Sequence, residues 1–300
     1  MRDVLAKIPE RTNKDMASAT NQLQIDRLRN HLIDPLKPGD ALPQPTFTQD
    51  LTRYLEVLSM KEDMKLRNWL QTYRFKMGTI MWEYNPKFML KRANLQNHSI
   101  ARETDFIKVY IELRKDRSCL LMLREMYNIY EAIIRTRILD GSIAEVGVYK
   151  GGSAKLISEF KQDKTLYLFD TFEGMPETDN RIDLHSKGDF DDCNLQKVRD
   201  YLTKYKDIEF VKGKFPESVK NVRIHDLRFS FVHLDVDIYE STLSGLQFFY
   251  PKMSKNGIII SHDYNALSCP GVKKAFDQFF DDKPENVIPT LESQCIVYKQ

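Results

Sequence analysis

The stretch GSIAEVGVYKGGSAKLISEF, residues 141–160, decides how this chain folds. Ile143, Ala144, Val146 and Val148 make a short apolar run with one acid, Glu145, set inside it. Gly147, Gly151 and Gly152 interrupt the run, and helical spacing begins at Ser153. A short apolar run that ends in glycines and resumes with a 3.6-residue period is a buried strand turning into a helix. The pattern recurs downstream. Strands are predicted at 142–148, 166–170, 208–212, 229–236, 257–262 and 294–299, with helices at 152–160, 194–204, 239–249 and 271–280. A further helix, CLLMLREMYNIYEAIIRT (119–136), leads into the first strand. Alternation of this kind predicts an α/β fold: a mostly parallel sheet covered by helices on both faces.

Ligands of such sheets bind beyond the carboxyl ends of the strands, where the strand order reverses. Gly147, Asp170, Gly213, Asp235 and Asp263 all fall at or just past a strand end. EVGVYKGGS is not a phosphate-binding Walker loop, because no lysine precedes Ser153, and not GxGxxG, because Tyr149 takes the second glycine position. Its glycines still allow a tight turn against a ligand, and the helix beyond them offers free N–H groups. Glu145 favours a ligand with positive charge, such as the ammonium or sulfonium of S-adenosylmethionine; otherwise the segment is a plain strand-to-helix turn. Asp170 ends LYLFD, 25 positions after Glu145. An acid there is placed to bond ribose hydroxyls, or simply to act as an N-cap. Phe172 and Met175 are placed to pack on an adenine face.

FSFVHLDVDIYEST (229–242) runs from a greasy strand into Asp235 and Asp237, and GIIISHDYN ends the next strand in His262 and Asp263. Carboxylates at the end of a buried strand are costly unless something uses them. Two neighbouring strands that both end in acids point to a shared divalent cation.

AEVGVYKGGSA, FDTFEGMPE, HLDVDIYEST, GIIISHDY and PGVKKAFDQFF occur in the order seen in the macrocin O-methyltransferase family. Over residues 119–300 the chain resembles that family. The resemblance implies a class I Rossmann-like methyltransferase with a seven-stranded sheet. Such enzymes use S-adenosylmethionine to methylate hydroxyls of sugars and related scaffolds, often with magnesium. It implies a cofactor site of Glu145, Gly147, Tyr149, Gly151, Ser153, Asp170, Thr171 and Phe172. Asp235, His262 and Asp263 would be the metal ligands, with Asp237 as general base. In a metal-free version, His262 or Asp237 would be the base; the other alternative is a non-catalytic S-adenosylmethionine-binding protein whose front region docks a partner. The family's fifth strand ends in a pair of acids, and here the first of them is His262. Magnesium prefers oxygen donors, whereas imidazole favours softer ions.

Residues 1–118 read as a separate helical extension, serving as lid, acceptor contact or oligomer interface. Leu51, Tyr54, Leu55 and Leu58 share one helical face, and DPLKPGDALPQP (34–45) breaks the chain before them. This half carries 21 Lys and Arg against 15 Asp and Glu. Interspersed acids make that a solvated surface rather than a nucleic-acid face. Trp69 and Trp82, among basic residues, suit helix packing better than a membrane surface. Four dispersed cysteines give neither a zinc knuckle nor a disulfide framework. No apolar run approaches the roughly 18 residues of a membrane span, and MRDVLAKIPERTNKD lacks a signal peptide's apolar centre. The expectation is a cytoplasmic homo-oligomer acting on a small-molecule or glycan acceptor with a free hydroxyl.

Overall fold

The computed structural model describes residues 89–91, 95, 97–116, 119–221, 224 and 226–300. The helix expected around Leu51–Leu58, the proline-rich stretch and both tryptophans lie outside them. After helical residues 89–91 and a 3-10 turn at Ser99–Arg102, the described chain runs through α1 (Thr104–Asp116) and α2 (Leu123–Thr136), followed by β1 (Ser142–Val146), α3 (Gly152–Phe160) and β2 (Leu166–Asp170). Next come α4 (Leu195–Tyr201), β3 (Ile208–Lys212), β4 (Phe229–Leu234), α5 (Tyr239–Phe249) and β5 (Met253–Ser261). It closes with α6 (Pro270–Phe280), β6 (Ile288–Pro289) and β7 (Cys295–Tyr298). No described helix is long and apolar enough to cross a membrane.

The strands form one seven-stranded sheet in the order β3-β2-β1-β4-β5-β7-β6. β3, β2, β1, β4 and β5 run parallel, and β7 returns antiparallel between β5 and β6. The order reverses between β1 and β4, so the ligand crevice belongs at their carboxyl ends.

The two-residue period of the strands sorts side chains onto two cores. Ile143, Leu166, Leu168, Phe231 and Ile258 face Phe106 and Leu113 of α1, Met126, Ile129 and Ile133 of α2, and Leu156 of α3. Ala144, Val146, Phe169, Val232 and Leu234 face Leu246 and Phe249 of α5, and Val272, Phe276 and Phe280 of α6. Phe106 and Leu113 are fully buried, so packing into this core begins before residue 119. On the first face Glu145 and His233 are register partners. Two polar residues therefore meet inside a hydrophobic layer.

Candidate active site

The loop after β1 is shaped by contacts that only glycine allows. Gly147 has φ +87°, and a Cβ there would stand 1.7 Å from the Asp235 carbonyl oxygen. The bare backbone lets the β1 and β4 loops touch. Gly151 (φ +82°) then caps α3, whose first N–H groups face out of the loop.

Asp170 binds this loop to β2. Its Oδ2 accepts from the Val148 and Tyr149 N–H groups at 2.7 and 2.9 Å, and its Oδ1 from Phe172 N–H at 2.6 Å. The Thr171 hydroxyl donates to the Gly174 carbonyl at 2.6 Å and closes the next turn. The Tyr149 hydroxyl donates to Asp192, and its ring meets Phe190 edge-on. Phe172, expected on an adenine face, is 2% exposed and packs against Phe210. Its backbone borders the site while its ring is core, because a φ of +53° turns the side chain inward.

Glu145 is also more deeply set than a strand-end acid need be. It is fully buried, with Oε1 2.8 Å from His233 Nδ1. Burial pushes its carboxyl above the usual range, against the opposing pull of His233 and Ser153. Glu145 Oε2 and His233 Nε2 have no hydrogen-bond partner. An orphaned buried carboxylate oxygen beside a glycine loop and a helix N-terminus fits a ligand carrying both positive and negative groups, as S-adenosylmethionine does.

The acids of β4 and β5 converge. Backbone pairing continues one residue past the strands: Asp235 N–H donates to Val146, and His262 N–H to Leu234, both at 2.8 Å. His262 Nδ1 then lies 2.7 Å from Asp263 Oδ2 and 3.2 Å from Asp235 Oδ1, with Nε2 3.4 Å from Glu125 Oε2. Burial lowers the His262 pKa, but the Asp235 charge and bonds to Asp235, Asp263 and Glu125 carry it well above the usual histidine range. Asp237, partly accessible yet deeply enclosed, is pushed well up by burial, by the Asp235 charge and by its hydrogen bond with Asp263. Asp263 moves the other way: bonds to His262 and Asp237 outweigh its own burial.

Asp235, His262 and Asp263 bring donor atoms within 4.8 Å of one another, so together they can hold a divalent cation. Glu125 behind Nε2 turns Nδ1 toward the two aspartates, as outer carboxylates do for ligating histidines. One nitrogen and two carboxylates suit a borderline ion better than magnesium. Ligation would have to displace the proton that His262 Nδ1 shares with the aspartates.

Several residues of the site carry no motif. Glu125 caps α2 by accepting from Met122 N–H at 2.8 Å, and it also accepts from the Ser293 hydroxyl at 2.6 Å. An acid three residues into a helix advertises only the cap. His233 is hidden in an apolar strand. His185 stands in the 174–192 loop, where Asp183 holds the start of α5 by accepting from Tyr239 N–H at 2.9 Å.

Residues 62–300 match the macrocin-O-methyltransferase (TylF) family. A Streptomyces niveus protein named demethyldecarbamoylnovobiocin O-methyltransferase is 28% identical over 157 residues, 47% of this chain and 58% of that protein. From Streptomyces olivaceus, 8-demethyl-8-(2,3-dimethoxy-alpha-L-rhamnosyl)-tetracenomycin-C 4'-O-methyltransferase is 29% identical over 147 residues, covering 44% and 56% respectively. The chain thus spans a little over half the length of these relatives. The solved O-methyltransferase NovP superposes with a TM-score of 0.54 at 22% identity, covering 61% of this chain and 82% of that one. The calicheamicin methyltransferase CalS11 gives 0.53 at 17%, covering 88% and 99%. At these identities the structural likeness is one of fold, and the sequence match is what assigns the family. This chain belongs to the macrocin-O-methyltransferase family.

Proposed function

We propose that the chain transfers a methyl group from S-adenosylmethionine to a hydroxyl of a sugar or glycosylated metabolite. One observation carries the reading. Asp235, Asp237, His262 and Asp263 cluster beside a glycine loop at the point where the sheet order reverses. Family membership supports methyl transfer, and the relative named for a rhamnosyl tetracenomycin supports a glycosylated acceptor.

Bound S-adenosylmethionine supplies an electrophilic methyl on its sulfonium. The chain's task is to align an acceptor oxygen with that carbon and to take its proton. Alignment alone is worth up to roughly 7–11 kcal/mol. Gly147 and Gly151 let the loop after β1 pack closely on the Asp235 backbone and on Val198 of α4, Asp170 fixes that loop, and Glu145 Oε2 has no partner of its own and could accept from an ammonium. Asp237 takes the hydroxyl proton. Its raised pKa makes the ionised form a stronger base than an ordinary aspartate. A divalent cation on Asp235, His262 and Asp263 would lower the hydroxyl's own pKa.

A second reading is favoured by the position of His262 itself. Its imidazole stands among Asp235, Asp263 and Glu125 with a pKa well above the usual, so a protonated ring supplies positive charge there without a metal.

Calorimetry with S-adenosylhomocysteine and with NAD tests the function: the first binds and the second does not. NAD binding, or no binding of S-adenosylhomocysteine by folded protein, would overturn it. Methyl transfer in excess chelator separates the two versions, since only the metal-free one survives.

A further inference from the structure

We infer a second cation site, formed by His185, Asp237 and Cys269, that takes a zinc-like transition ion. One ligand atom from each of these residues lies within 4.8 Å of the others, and Cys269 Sγ is 3.8 Å from Asp237 Oδ1. A tetrahedral zinc ion with bonds of about 2.0–2.3 Å holds its ligands roughly 3.5 Å apart. Small side-chain shifts close the difference. Imidazole, carboxylate and thiolate together select zinc, cobalt or nickel over magnesium or calcium.

Three features make this more than proximity. His185 Nδ1 is 3.0 Å from Asp189 Oδ2, and that oxygen also accepts from Ser186 N–H at 3.1 Å. A carboxylate behind one ring nitrogen fixes the tautomer and leaves Nε2 as the ligand atom, the usual outer arrangement of metal-binding histidines. Asp237 sits at the centre of a tight turn, with φ +59° and Ile238 N–H bonded to the Val236 carbonyl at 2.6 Å. Positive-φ γ-turns are rare and strained, and strain of this kind gathers where a side chain must be aimed. Finally, the loop that carries His185 is fastened down. Asp183 bonds Tyr239 N–H, and Gly271 lies so near that a Cβ there would be 2.1 Å from Asp183 Oδ1. Asp189 itself anchors the loop, its carbonyl accepting from Met175 N–H at 2.7 Å.

This group is distinct from Asp235, His262 and Asp263, and of the two it alone contains a thiol. Burial raises the Cys269 thiol pKa, so a bound ion must take the place of its proton. Asp237 is shared with the proposed proton acceptor of methyl transfer, so an ion held here would occupy that carboxylate, but the binding test needs neither cofactor nor acceptor.

The full chain, stripped with chelator, is titrated with Co2+ as a coloured stand-in for zinc. A near-ultraviolet thiolate-to-cobalt band should grow to one equivalent. Cys269→Ser should abolish it. Asp235→Asn should keep it, because Asp235 is not one of the three ligands. Asp189→Asn, outside the coordination sphere, should weaken Co2+ binding about tenfold. His185→Gln, a change in a surface loop, should remove the band or weaken binding at least as much, and it serves if Cys269→Ser does not fold. Cys119 lies near Asp235 and His262, so Cys119→Ser is the control. Absence of a thiolate band in folded wild type at millimolar Co2+ would overturn the site. So would a band that Cys119→Ser removes and His185→Gln leaves unchanged.

Discussion

Gly147 shows how one residue type joins two halves of a site. A Cβ there would overlap the Asp235 carbonyl oxygen at 1.7 Å, and since the Cβ is fixed by its own backbone and the oxygen is backbone, neither can rotate away. Gly188 has nearly the same φ, +88°, but a Cβ added to it would meet nothing within 4 Å. The pair separates the cost of positive φ from the cost of collision. Gly188→Ala should lose about 1 kcal/mol in urea unfolding. Gly147→Ala should lose more than about 3 kcal/mol, in the range kept for collisions and strained backbone. Equal losses would mean that the β1–β4 contact contributes nothing. At this scale the sequence is informative where chemistry is local. The glycines, Asp170, Asp235, Asp237 and Asp263 all stand where the strand ends put them. Phe172 departs from its expected place because its direction depends on φ, which no composition rule reports. His233 escapes notice because an apolar strand gives no sign that its register partner is an acid.

Elements are legible where period and punctuation agree. Helix 239–249 and strands 166–170 and 208–212 stand as expected, and GIIIS ends β5 as its apolar run implies. The start of β5 lies at Met253, four residues before the expected one, because Ser254, Lys255 and Asn256 break the apolar run while Met253 still pairs with Phe229 and Asn256 N–H donates to the Lys299 carbonyl. β6, two residues long, has no period to detect. The 174–192 loop is readable only as long and polar. Its fixed course comes from Asp183 meeting Tyr239 and Gly271, a contact between segments far apart in sequence. Asp183→Ala should therefore loosen the loop more than the domain. Hydrogen exchange across 180–190 should speed up at least about tenfold, while global stability falls by only about 1–2 kcal/mol, the scale of one charge-assisted bond. Unchanged exchange would show that the loop is held elsewhere.

For the whole molecule, the reversal of strand order explains why one crevice gathers residues from β1, β2, β4 and β5, and the far edge of the sheet needs its own fastening. β7 is the last described strand, and the residues after it are pinned to Glu285, which lies between α6 and β6. Glu285 is 4% exposed; its Oε1 accepts from Lys299 Nζ at 2.7 Å and from Gln300 N–H at 3.2 Å, and its Oε2 from the Tyr250 hydroxyl at 2.6 Å. Burial alone would raise this carboxyl, but Lys299 and Tyr250 outweigh it and hold the pKa at about 2, down from 4.5. A carboxyl whose folded pKa lies below its unfolded value stabilises the fold above the unfolded pKa. That stabilisation drains away as pH falls through the folded one. The window here is pH 4.5 down to about 2. Partial exposure of the Lys299 side chain discounts the pair to about 1–2 kcal/mol. Glu285→Gln keeps the shape and most of the hydrogen bonds but removes the charge. In chemical unfolding at pH 7 the variant should be less stable than wild type by that amount. The gap should narrow steadily below pH 4.5 and vanish as pH falls through about 2, where the wild-type carboxyl becomes neutral like the amide. A gap that stays constant with pH would show that Glu285 holds the edge by packing, not by its charge.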